Sequence, residues 1–134
     1  MIYRSLSVCE NAILDARTNN ISLINIIEEI QIMGFPTLLP HLSIVAQLQK
    51  EPIDNGDQFV FEIRIRINQR QLFAQPVTTN FMGRPKNRLI LDMNGVPITE
   101  SGSLIVELVR DGTVVLSSSI EMRLPERPQV TQAQ

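Results

Sequence analysis

The sequence predicts an all-β protein: a mainly antiparallel β-sandwich of about eight strands, Ig-like or related, closed by a C-terminal hairpin. Three observations carry that expectation. Residues 102–124, GSLIVELVRDGTVVLSSSIEMRL, are two β-branched apolar arms around Asp111-Gly112, a strong short-range hairpin signal. Residues 58–68 alternate, with Phe59, Phe61, Ile63, Ile65 and Ile67 on one side and Glu62, Arg64, Arg66 and Asn68 on the other, as in a strand with one face buried and one in water. Turn clusters recur along the chain, and no segment carries a convincing helical period.

Residues 2–14 read as a first strand region, with a break at Glu10-Asn11 and a helical reading left open. The cluster DARTNN, 15–20, is a turn, since Asp and Asn accept left-handed and Asx-turn geometry. Residues 21–33 read as a strand because their isoleucine density favours β over helix. Residues 34–40, GFPTLLP, read as a loop, with neither Pro36 nor Pro40 inside a central strand, because proline cannot donate to a ladder. Residues 41–50 form a strand with Leu42, Ile44, Ala46 and Leu48 on its core face. EPIDNGD, 51–57, is a turn cluster that lacks the ligand series and closing glutamate of a calcium loop. A strand over 72–79 carries Pro76 and is expected at an edge. A short strand over 88–93 is closed by Asn94-Gly95 and Pro97.

In the hairpin, side-chain parity selects the turn. A tight Asp111-Gly112 loop would pair Leu108 with Val115 and throw the two apolar sets onto opposite faces, a slip disfavoured wherever one face is buried. The expected loop is therefore Arg110-Asp111-Gly112, with Leu108 opposite Val114 and Val106 opposite Leu116.

At 134 residues and 43% hydrophobic content, the chain can bury a real core and is not intrinsically disordered. One sandwich domain over 1–124 is expected, followed by a disordered polar tail over 125–134. A net charge of −2 implies no bulk attraction to nucleic acid or anionic lipid. The single Cys9 excludes an intramolecular disulfide. The N-terminus lacks the apolar core of a signal peptide and no run is long enough to span a membrane, so a cytoplasmic location is expected.

No residue pattern points to catalysis, and no cofactor or metal is expected. His41 follows Pro40 at a strand start, with no Ser or Cys beside it to suggest a nucleophile pair. Cys9 has only Arg4 near it in sequence and reads as a core thiol. Two features offer binding surfaces. Phe35, Leu38 and Leu39, between prolines, either cap one end of the core or dock a protein partner or a second copy. Arg64, Arg66, Arg70, Arg84, Lys86 and Arg88 fall in a window without Asp or Glu. They are either a solvated face offset by neighbouring glutamates or an anion site, with Arg84, Lys86 and Arg88 as the contacts. Nucleic acid is not expected, for want of an aromatic stacking platform.

Cys9-Glu10, the turn at Thr18-Asn19-Asn20, SLINII ending at Ile27, Gly34-Phe35-Pro36, and Pro40 leading into a strand together resemble a family of small bacterial proteins known as a domain of unknown function. The closing Gly102 strand and Asp111-Gly112 turn belong to the same likeness. The resemblance implies a compact β-sandwich of bacterial origin and supplies no activity or site. The leading expectation is a non-catalytic protein-binding or assembly module, with a homo-oligomer as one form. The alternative is binding of an anionic ligand or nucleic acid through residues 64–88.

Overall fold

The structure, a computed structural model, describes residues 1–124; the tail expected over 125–134 lies outside them. The described residues form nine strands: β1 (Ile2–Leu14), β2 (Ile21–Ile26), β3 (Glu29–Gln31), β4 (Thr37–Gln49), β5 (Gln58–Ile67), β6 (Arg70–Asn80), β7 (Lys86–Ile98), β8 (Gly102–Arg110) and β9 (Thr113–Arg123). They make two sheets, one in the order β2-β1-β4-β7 and one in the order β3-β9-β8-β5-β6. The short β3 runs parallel to β9; the other described pairs are antiparallel. The protein is an all-β sandwich.

The core is the set of inward side chains that the alternation selects. Phe61, Ile63, Ile65 and Ile67 of β5 meet Leu42, Ile44 and Leu48 of β4 in one buried cluster, joined by Leu104, Val106 and Leu108 of β8. Tyr3 and Phe61 meet edge to face across the two sheets, with ring centroids 6.4 Å apart, a favoured aromatic geometry.

Four local expectations are corrected. Residues 21–33 are two strands: the chain leaves the first sheet after Ile26 and joins the second at Glu29. Isoleucine density marks β structure but cannot say in which sheet. The loop expected over 34–40 yields at Thr37, and Pro40 stands inside β4, a strand with neighbours on both sides. It is tolerated because β1 pairs with β4 only from Ser43 to Gln49, so Pro40 lies where the sheet is locally an edge. The short strand over 88–93 is a long β7 that passes through Gly95, at φ 74°. In the β8–β9 hairpin, Arg110 pairs with Thr113, so the loop is the tight Asp111-Gly112 turn, both residues at positive φ. A bulge after Leu108 shifts the register, setting Leu108 opposite Leu116 and Leu104 opposite Ile120. The parity argument was sound about the shared face; a bulge, which inserts one residue in one strand, restores it. Val114 is left exposed.

One face departs from the simple in–out rule. Cys9, Ser43 and Val45 project from the outer side of the four-stranded sheet yet are buried. Past Cys9, β1 parts from β4 and pairs only with β2. The turn between β1 and β2 then reaches back over the sheet, where the Asn19 carbonyl accepts a hydrogen bond from the Arg88 guanidinium of β7.

Candidate anion-binding site

That returning turn builds a hollow. Leu14 and Asn19 form one wall, and the outer sheet surface forms the floor through Gln47 and Ile90. Its volume is about 390 Å³. Arg4 from β1, Lys86 and Arg88 from β7, and Arg84 from the preceding loop all line it. No Asp or Glu lines it among the described residues.

The sheet register makes this convergence necessary. Gln49 is opposite both Ile2 and Lys86, and Gln47 is opposite both Ser5 and Arg88, so the start of β1 and the start of β7 flank the end of β4. A bulge between Tyr3 and Ser5 leaves Arg4 able to donate to Gln49 Oε1 at 2.7 Å. The arginine is thereby held beside the β7 cations. Arg4 is the residue that the sequence window 64–88 could not include: it lies 60 positions before the window begins and only strand pairing brings it in.

Charge balance separates these cations from the rest. Eleven of the twelve Lys and Arg residues lie within the described residues. Lys50, Arg64, Arg66, Arg70, Arg110 and Arg123 each have an acidic partner. Of the five others, Arg17 does not line the hollow and the remaining four are its cations. The basic window therefore divides. Arg64, Arg66 and Arg70, on the other sheet, are offset by Glu62, Glu107 and Glu100, whereas Arg84, Lys86 and Arg88 face no described carboxylate within ion-pair distance.

The apolar loop divides as well. Leu39 is 7% exposed and belongs to the core, Phe35 packs half-buried against it, and only Leu38, 63% exposed, faces solvent. These three do not form one exposed patch. The β1–β2 hairpin also exposes Ile13, Leu14, Ile24 and Ile26. A second hollow of about 810 Å³ opens where β1 parts from β4, between Glu10, Ile27, Ile30 and Leu39.

His41 is less isolated than its sequence neighbours suggest. Two residues along β4, on the same face, the Ser43 hydroxyl is 3.3 Å from His41 Nε2, and His41 Nδ1 is 2.8 Å from Asn94 Oδ1. The i, i+2 spacing on a strand was the available signal. The hydroxyl nonetheless donates to Asp92 Oδ1 at 2.5 Å, and Ser43 is fully buried. Its proton is directed to a carboxylate and its oxygen is closed to substrate, so this is a structural network. Cys9 lies next to it, with its thiol directed at the carbonyls of Asn11 and Ser43. Burial, reinforced by the Asp92 charge, pushes the thiol pKa up, the opposite of what a reactive cysteine needs. Among the described residues no three of His, Cys, Asp and Glu stand together as metal ligands, and no helix is long and apolar enough to cross a membrane.

No curated protein matches the chain. The sequence profile of a family of unknown function, DUF6941, matches residues 4–123, a span that takes in both sheets and all four cations of the hollow. The resemblance read from Cys9-Glu10 through the Asp111-Gly112 turn thus holds, and the chain belongs to the DUF6941 family of unknown function.

Proposed function

We propose that this protein is a non-catalytic binding module whose basic hollow takes an anionic ligand. The observation behind it is the gathering of Arg4, Arg84, Lys86 and Arg88 around one concavity with no carboxylate among the described residues that line it, in a chain that is negative overall. Like charges left unpaired repel one another, and an arrangement of this kind is relieved by a bound anion. The test is titration with pyrophosphate of the wild-type chain and of a variant with Arg84, Lys86 and Arg88 changed to Gln. Binding that weakens on the order of tenfold in the variant, and weakens with added salt, supports the proposal. Equal binding by the two proteins, or affinity indifferent to salt, refutes it.

A protein-contact role has its own support. β2 is an edge strand whose sequence, ISLINI, lacks the charges and prolines that usually blunt an edge. Its own Ile24 and Ile26 are exposed. On this second reading a protein partner, or a second copy of the chain, packs on the hairpin rather than on Leu38. Light scattering on the wild type and on Ile24→Lys tests the self-association form. A mass that falls to the monomer in the variant supports it, and a wild type that is monomeric at high concentration removes it.

A further inference from the structure

We infer that the ligand of the basic hollow is a compact anion carrying two or more linked phosphate groups, on a carrier without an aromatic base, bound without a metal ion. This rests on the anion-binding reading above and narrows it.

The spread of the cations argues for more than one phosphate. Lys86 and Arg88 are two residues apart on β7, so their backbones are about 7 Å apart along the strand. Arg4 lies two strands away across β4, about 10 Å in the perpendicular direction. Arg84 enters from the loop beyond the sheet. Two of the four are also tethered, Arg4 to Gln49 and Arg88 to the Asn19 carbonyl, which limits how far they can swing inward. One phosphate, with every oxygen on a single phosphorus, is too small to accept charge-assisted hydrogen bonds from all four at once. Two or three linked phosphates span the gap, and guanidinium groups match their oxygens in paired N–H···O geometry.

The absence of carboxylates among the described lining residues argues against a metal bridge. Magnesium is normally held by one or two carboxylates together with substrate phosphates, and here a divalent cation would meet four positive charges instead. Asn19, Gln47 and Asn87 complete the polar lining.

The kind of carrier follows from what the walls are made of. Base recognition draws on aromatic stacking. None of the five Phe or the one Tyr lines the hollow, and Phe59, Phe61 and Phe81 are buried in the interior. The apolar part of the lining is aliphatic, from Leu14 and Ile90. A nucleotide base would gain little there.

Calorimetric titration of the full chain with inorganic phosphate, tripolyphosphate, ATP and a single-stranded RNA oligonucleotide, in EDTA and then with added magnesium, tests this. Tripolyphosphate is expected to bind on the order of tenfold tighter than phosphate. ATP is expected within about threefold of tripolyphosphate, and magnesium is expected to weaken both by screening their charge. R4Q, which removes the most distant cation, should reduce tripolyphosphate affinity about fivefold and phosphate affinity by less than about twofold. If phosphate binds as tightly as tripolyphosphate, the multiple-phosphate inference is overturned while the anion site stands. If ATP or the RNA binds tenfold tighter than tripolyphosphate, the base-free carrier is overturned. If magnesium is required, the metal-free mode is overturned. If none of the four binds, both this inference and the proposed function fail.

Discussion

Replacing Gly102 by alanine should cost this protein about 3 kcal/mol. Gly102 opens β8 at φ 134°, a conformation that side-chain-bearing residues rarely adopt. Alanine there costs about 1–2 kcal/mol in backbone strain. The new methyl would also stand 2.7 Å from Asn68 Nδ2 and 2.9 Å from its Cγ. Asn68 is the hub that ties the β5–β6 turn to the start of β8. Its Nδ2 donates to the Ser101 carbonyl, its Oδ1 accepts from the Ser103 amide, and its own amide donates to the Ser103 carbonyl. Moving the side chain aside forfeits the first two bonds, about 1 kcal/mol each at most because the site is exposed. Urea denaturation reads the total as a fall in midpoint at constant m. Asn68→Gly separates the two causes, since glycine keeps the positive φ of position 68 while deleting the group that collides. In that background Gly102→Ala should cost only about 1–2 kcal/mol. A loss below about 1 kcal/mol in the single variant, or the same loss in both backgrounds, would refute the reasoning.

Within the proline-flanked loop, Leu39→Ala should lose about 2–5 kcal/mol and Leu38→Ala less than about 0.5 kcal/mol, because the first is buried and the second exposed; denaturation midpoints of the two variants decide it. Cys9 should react with a thiol reagent far more slowly in the native protein than in urea, since its thiol is enclosed and its pKa is raised; equal rates would show that the outer face of the sheet is open. Asp54 accepts a hydrogen bond from the Glu51 backbone amide at 2.8 Å, which, with nearby positive charge including Arg110, holds its carboxyl below its ordinary pKa. Its contribution is therefore full above the unfolded carboxylate pKa and is lost as pH falls through the lower folded value. A melting-temperature profile of Asp54→Asn should be flatter than wild type over that acidic window, and parallel profiles would remove Asp54 from the acid response.

Residue order was informative wherever one side chain reports its own environment. The alternation at Phe59–Ile67 named the buried face of β5, and the apolar arms around Asp111-Gly112 named the last hairpin, because a period of two is a local property of the backbone. Pro76 placed β6 at an edge for the same kind of reason: the missing amide proton travels with the residue. Turn geometry was less legible. The bulge after Leu108 reconciles a tight turn with a shared face, and nothing in the local composition announces it.

The candidate site divides along the same line. Arg84, Lys86 and Arg88 could be picked out as a basic run, since they are neighbours in the chain. Glu62 stands two residues before Arg64 on the same strand face, but Glu107 and Glu100 reach Arg66 and Arg70 only through the fold, which sets no described carboxylate within ion-pair distance of the first group. Arg4 joins through the pairing of β1 and β7 on either side of β4, and Asn19 through a turn that folds back over the sheet. Burial, charge compensation and concavity are properties of segments far apart in sequence, and they come into being only when the strands take their order. The chain's pattern was sufficient for a β-sandwich; which cations are left without a partner was decided by the tertiary fold.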